Sequence, residues 1–273
     1  MSSWRSPAAP LTSNEAAVRG VLAELGYWLL RYRRTWRGTV VISIVNPALF
    51  LAALGAGLGP LVDRHQSSYL HGVAYVAFLA PGLLAAAMMQ TAFVESAGPV
   101  AFAARSGGAY RAALATPVEP GELYVGHLLF IAFRLGTSGA AFAFVAWCFG
   151  AVPGARLPAV VGAALLTGLA FAAPLAAWAV SVQRTALLTG LFRFIVMPLY
   201  MFSGTFFSPS QLPAWLHSIV SVTPLYHGVQ LCRSLSLGTA TAGATIEHVG
   251  YLSSLTVLGI AAGCVSYRQA LAS

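Results

Sequence analysis

The sequence predicts an all-α membrane protein with six transmembrane helices, and three observations carry that prediction. Of 273 residues, 58% are hydrophobic and only 8% charged, against roughly 25% charged in an ordinary soluble domain. Mean hydropathy is +0.76. Apolar runs of about 20 residues, enough to cross the hydrocarbon core of a bilayer, recur along the chain. A polypeptide with so little polar surface has lipid, not water, as its natural solvent.

The first element is a cytoplasmic tail and amphipathic helix, residues 1–38. In "TSNEAAVRGVLAELGYWLLRYRRTWRG" the apolar Val18, Leu22, Leu25, Leu29, Tyr32 and Trp36 recur at three- and four-residue spacing, which is one stripe of a helix. Thr12 with Glu15 three residues later forms a capping-box pattern at its start. Arginines and two tryptophans beside the stripe suit a helix lying in the membrane interface. No compact apolar stretch there ends in a cleavage site, so no cleavable signal peptide is expected.

Residues 39–273 form the six-span domain. Its predicted spans are Thr39–Leu61, Gly72–Val94, Leu123–Gly150, Leu157–Val180, Leu188–Phe207 and Glu247–Tyr267. An even number places both ends on one side, and the arginines choose which. All 15 basic residues are Arg. With a cytoplasmic N-terminus, Arg5, Arg19, Arg31, Arg33, Arg34, Arg37, Arg105, Arg111, Arg184 and Arg268 lie inside, while Arg64, Arg156 and Arg233 lie outside. That asymmetry is the positive-inside bias of a multi-pass membrane protein. It also accounts for the net charge of +8 without a nucleic-acid partner, because the arginines flank spans instead of forming one stripe. Arg134 and Arg193 fall within spans. Arg193 is close enough to an end to snorkel; for Arg134, either its helix begins below the membrane or the side chain faces a polar interior.

Helix breakers at Asn46-Pro47, Pro81-Gly82, Pro174 and Pro198 predict bent helices packed against neighbours that satisfy the freed backbone groups. The connection at about 95–122, "ESAGPVAFAARSGGAYRAALATPVEPGEL", predicts a short helix over Ala109–Ala115, stopped at Thr116-Pro117. A short, basic, partly apolar helix outside the membrane suits docking on a soluble partner. Between spans five and six, at about 208–238, Pro209, Pro213 and Pro224 cut an apolar stretch into Pro213–Val222 and Leu225–Leu237. Pieces of about 10–14 residues are too short to cross and read as a re-entrant, broken hairpin at the outer face.

Chemistry is mostly excluded. No nucleophile elbow and no H-E-x-x-H occurs, and none of the seven acids sits at the centre of a predicted span, where proton-coupled carriers place a carboxylate. Cys148, Cys232 and Cys264 show no metal-binding spacing. His127, His217, His227 and His248 are scattered and read as interfacial, hydrogen-bonded residues. A phosphate-binding P-loop needs a lysine, and the chain has none.

The order of these parts resembles the permease subunit of type-2 ABC exporters. The sharpest match is "PLYHGVQLCR", where Pro224, His227 and Arg233 fit a Pro-x-x-His-x5-Arg element associated with that family. Within it, "SGTFFSPSQLPAWL" with "TPLYHGVQLCRSLSLG", and "ATPVEPGELYVGHLL" before span three, are most similar to the lipo-oligosaccharide (nodulation-factor) export and daunorubicin-resistance permeases. The resemblance implies a half-transporter with no cofactor of its own. Two copies of an ATP-binding subunit would hold ATP and Mg, and a second permease, identical or paralogous, would complete the complex in lipid. It further implies that the loop around Ala104–Leu114, with Arg105, Tyr110, Arg111 and Leu114, couples to the ATPase. Cargo would pass along spans one, two and five, with Asn46, Met88, Met89, Gln90, Ser203 and Thr205 as candidate lining. The cargo class would be a glycolipid, lipo-oligosaccharide or hydrophobic drug. The alternatives are an autonomous secondary carrier or lipid-modifying enzyme, or a scaffold that keeps the architecture without transport.

Overall fold

The computed structural model describes residues 13–58, 73–105, 107–207 and 213–272. The described chain is helical throughout, and six of its helices are long and apolar enough to cross a membrane. Thr12, Arg5, Arg64, the end of span one after residue 58, the start of span two, and hairpin residues 208–212 lie outside the described residues.

Helix α1 (Ser13–Leu51) runs on as a π-helical segment, Ala52–Leu58. The two elements expected on either side of residue 38 are therefore continuous. Gly38 costs a helix only about 1 kcal/mol relative to alanine, and good apolar formers follow it. At 1.5 Å per residue α1 is about 58 Å long, roughly twice the hydrocarbon thickness. Its packed face also differs from the expected stripe. Gly20, Glu24 and Trp28 are buried, whereas Val18, Leu22 and Trp36 are exposed. Close approach to α4 (Pro120–Cys148) is what selects this face. A Cβ at Gly126 would sit 2.7 Å from the Glu24 side chain. The buried Glu24 carboxylate is satisfied by the Trp28 indole, which donates to it at 2.5 Å.

The centre of the bundle is α2 (Tyr75–Ala103), α4 and α5 (Leu157–Ala179). Helix α2 continues nine residues past the predicted Val94, through Pro99, so Glu95 lies within it and not in the connection. Helix α3 (Ala109–Ala113) is the short helix expected between them. Helix α4 opens with a capping box: the Glu119 carboxylate accepts from backbone, and the Glu119 N–H donates to Glu122 Oε2 at 3.1 Å. Two orphan donors are thereby satisfied.

Helix α6 (Thr185–Phe202) is a minimal crossing of 18 residues. It is wound as a π-helix over Phe192–Val196, immediately before Pro198. A widened turn at that point accommodates the ring that would otherwise meet the carbonyl four residues back. The helix stops at Ser203, and Gly204 adopts a left-handed φ of +82°, ending the span earlier than the predicted Phe207. Helices α7 (Ala214–Ser221) and α8 (Pro224–Leu237) match the two half-helices expected from the prolines. Proline in the first turn forfeits no helical hydrogen bond. Gly238, with φ +74°, closes α8. Helix α9 (Ala242–Ala272) completes the bundle against α5. Gly259 lets its backbone meet Pro174, and the Tyr124 hydroxyl lies 3.1 Å from the Ala173 carbonyl and 3.0 Å from that of Gly259. Helices α1, α6 and α9 are peripheral: 11–17% of their most apolar windows is buried, against 50–67% for the central three.

Candidate translocation cavity and coupling region

A cavity of about 380 Å³ opens on the side of the bundle between α1, α2 and α4. Asn46, Met88 and Gln90, three of the residues expected along a cargo path, line it. Met89 is fully buried on the far side of α2, since consecutive helical residues point about 100° apart. Ser203 and Thr205 are buried at the end of α6 and do not reach the cavity. A smaller adjoining space brings in Tyr200 of α6 beside Asn46, Gln90 and Phe142. The main cavity is thus walled by the first, second and third spans, and the fifth joins only through Tyr200 in the smaller space.

The strongest polar feature of the cavity is a pair of residues not expected to meet. Arg134, 4% exposed, donates through Nε to Glu95 Oε1 at 3.0 Å and through Nη1 to the Tyr32 hydroxyl at 3.2 Å. Its guanidinium also lies 4.7 Å from the Tyr32 ring centroid. Arg134 thus faces a polar interior, on a helix that begins well before it at Pro120. Ser43 and Ser138 add a hydroxyl pair 3.2 Å apart. These groups were legible as i, i+4 polar pairs on apolar helices, Thr91 with Glu95 and Arg134 with Ser138. A buried ion pair is costly unless it is well bonded or faces a cavity, and this one lines the cavity. Met88, Pro47 and Phe142 supply apolar wall beside it.

At the α3 end of the bundle the four expected coupling residues separate into two sets. Arg105 and Arg111 are exposed; Arg105 donates to the Gln183 carbonyl at 3.3 Å and Arg111 to that of Leu271 at 3.4 Å. Tyr110 instead points inward and is fully buried, bonded to His127 Nδ1 of α4 and 3.4 Å from the Tyr267 hydroxyl of α9. Burial, with Tyr267 adding to it, pushes the Tyr110 phenol well above its ordinary value of 10.0, so it persists as a neutral hydroxyl. Trp28 of α1 stacks on His127 at 4.0 Å between ring centroids. Leu114 is half-buried against the core. The short helix is thus keyed into α1, α4 and α9 together.

At the opposite end, Arg233 acts as a clamp. Its Nε donates to the Phe78 carbonyl at 3.2 Å, its Nη2 to Gly204 at 2.7 Å, and the guanidinium sits 3.8 Å from the Phe78 ring centroid. It joins α8 to the start of α2 and the end of α6. Gly82 is required there, because a Cβ would lie 3.0 Å from both Arg233 Nη2 and the Thr205 carbonyl. Pro224 begins α8, with Thr223 Oγ1 accepting from the Tyr226 N–H at 3.4 Å. His227 is buried one turn into the same helix.

A bundle of apolar helices with a polar, laterally open cavity and a short helix keyed across one end defines a multi-pass membrane permease. Residues 25–237 match the ABC-2 type transporter family, and the chain belongs to that family. Nodulation protein J of Rhizobium leguminosarum bv. viciae is 29% identical over 257 residues, covering 89% of this chain and 95% of the relative. Nodulation protein J of Rhizobium meliloti strain 1021 is 28% identical (85% and 88%), and that of Rhizobium leguminosarum bv. trifolii 30% identical (85% and 88%). The chain is therefore the membrane permease component of an ABC exporter, and its ATP-hydrolysing site belongs to a separate ATP-binding subunit.

Proposed function

We propose that this permease moves an amphipathic cargo outward when two ATP-binding subunits close on one another, with a lipo-oligosaccharide or glycolipid favoured over a hydrophobic drug. The observation that carries the cargo class is the Glu95–Arg134 pair set beside the apolar wall of Met88, Pro47 and Phe142. Such a surface can hydrogen-bond a polar head while the tail stays in lipid. The Nodulation protein J relatives and the resemblance of the "SGTFF…QLP" and "PLYHGVQLCR" elements favour the sugar-bearing class. The sparsely buried helices α1 and α6 flank the cavity. In this reading a second permease, identical or paralogous, packs against them and closes the path.

The positive-inside asymmetry puts α3 and both termini in the cytoplasm, with the exposed stripe of Val18, Leu22 and Trp36 in the inner interface. ATP-driven motion would enter through Arg105 and Arg111 and pass by way of Tyr110 into α4 and α9. Any such shift requires contacts that differ between the two end states. The test is transport in proteoliposomes containing the partner ATPase, with labelled lipo-oligosaccharide and labelled drug offered in competition. Glu95→Gln should slow sugar-lipid export at unchanged assembly. Drug export that is faster than lipo-oligosaccharide export and indifferent to Glu95→Gln would reject the cargo assignment.

A further inference from the structure

Far from the cavity, at the hairpin end, three metal-ligating side chains converge that the transport reading does not use. His227 comes from the first turn of α8, Glu247 and His248 from the second turn of α9. One donor atom of each lies within 4.8 Å of the others. We infer that His227, Glu247 and His248 form a binding site for a divalent transition cation of the zinc class, which ties the broken hairpin to the last span.

The donor set decides the class of ion. Two imidazoles and a carboxylate suit zinc, nickel or copper(II), whereas calcium and magnesium take all-oxygen shells and copper(I) takes sulfur. The nearby thiol does not compete, because Cys232 is turned away toward the Val160 carbonyl. His227 Nδ1 and His248 Nδ1 stand 2.9 Å apart. A tetrahedral ion with Zn–N bonds of about 2.0–2.1 Å needs its two nitrogens about 3.3 Å apart. The rings must separate by only about 0.4 Å, within the reach of small side-chain rotations. Three protein ligands leave a fourth position for water.

The surroundings hold the first ligand as a metal site requires. His227 is stacked on Tyr251, with ring centroids 4.0 Å apart and planes 16° from parallel. The Tyr251 hydroxyl donates to the Val222 carbonyl at 2.5 Å, fixing that ring in turn. Contacts of this kind fix the orientation of a ligating ring. His227 is buried, His248 half-buried and Glu247 exposed, so the site is anchored on one side and reachable from the other.

The experiment uses the full chain in lipid nanodiscs, purified without a histidine tag, stripped with chelator and titrated with Zn²⁺ alone by calorimetry. One ion should bind per chain, and X-ray absorption should report imidazole nitrogens at about 2.0–2.1 Å. His248→Ala should weaken binding at least 10-fold, and Glu247→Gln should weaken it less. Zn²⁺ should raise the unfolding temperature of the wild type and not of His248→Ala. Glu247 is exposed and His248 only half-buried, so these variants keep the test alive should His227→Ala fail to fold. His217→Ala serves as the control and should bind as the wild type does. Unchanged Zn²⁺ affinity in His248→Ala, or absorption spectra without imidazole ligands, would overturn the site.

Discussion

Replacing Arg233 by leucine tests whether the family-like element at the start of α8 is a structural clamp. The guanidinium makes two charge-assisted hydrogen bonds, to Phe78 and Gly204, and one ring contact. Hydrogen bonds to a charged group contribute about 1.5–3 kcal/mol each, and a desolvated cation–π contact about 2 kcal/mol. Leucine returns about 2 kcal/mol through its own apolar burial, leaving a net loss of about 3–6 kcal/mol. For a chain of this size about 1 kcal/mol moves the midpoint roughly 2–4 °C, so unfolding should fall by roughly 6–24 °C. Cys232, fully buried beside Arg233, supplies the probe. In a Cys148→Ser, Cys264→Ser background, the temperature at which a thiol-reactive dye labels Cys232 reports opening of this end. Arg233→Lys keeps the charge but reaches one carbonyl instead of two, and should fall between leucine and wild type. Identical labelling temperatures for arginine and leucine would refute the clamp.

Two further outcomes concern the α3 end. Arg111→Glu should leave membrane insertion intact and reduce ATP-driven transport, measured in proteoliposomes; normal transport would show that the partner docks elsewhere. Tyr110→Phe removes the hydroxyl shared by His127 and Tyr267, a loss of about 1 kcal/mol, and should lower cargo moved per ATP hydrolysed while hydrolysis continues. Because burial raises the Tyr110 phenol well above its ordinary value, the proton stays on in the folded chain. The stability it contributes is full below the ordinary phenol value of 10.0 and is lost as pH rises from there through the raised value. Coupling should therefore be flat between about pH 7 and 9, and a decline tracking phenol ionisation in that range would contradict the buried hydroxyl.

Much of the architecture was legible because lipid imposes length and prolines impose punctuation. Leu157–Val180 was expected and Leu157–Ala179 is found; Pro213 and Pro224 marked the two half-helices to within a residue. Rotation of each helix was far less legible. In a soluble helix polarity separates the inner face from the outer, but lipid is as apolar as a protein core. Nothing in "AMMQ" tells that Met89 turns inward while Met88 and Gln90 line the cavity. The N-terminal stripe misled for a related reason. Val18, Leu22 and Trp36 stayed outside while Leu25, Leu29 and Tyr32 pack partly on the core, and the close contact formed on Gly20 and Gly126, where small side chains let two backbones approach. Glu95 was read as loop because the apolar run ends at Val94, yet the helix continues: Arg134, from another span, stabilises the charge.

The central claim is that this chain is a conduit whose work is supplied by a separate ATP-binding subunit. The most direct measurement reconstitutes the purified permease in proteoliposomes with and without that subunit, following ATP hydrolysis and cargo movement together. Hydrolysis and outward movement should appear only with both components present and vanish together when the subunit's nucleotide site is disabled. ATP hydrolysis by the permease alone, or full transport from it driven by a proton gradient, would contradict the account.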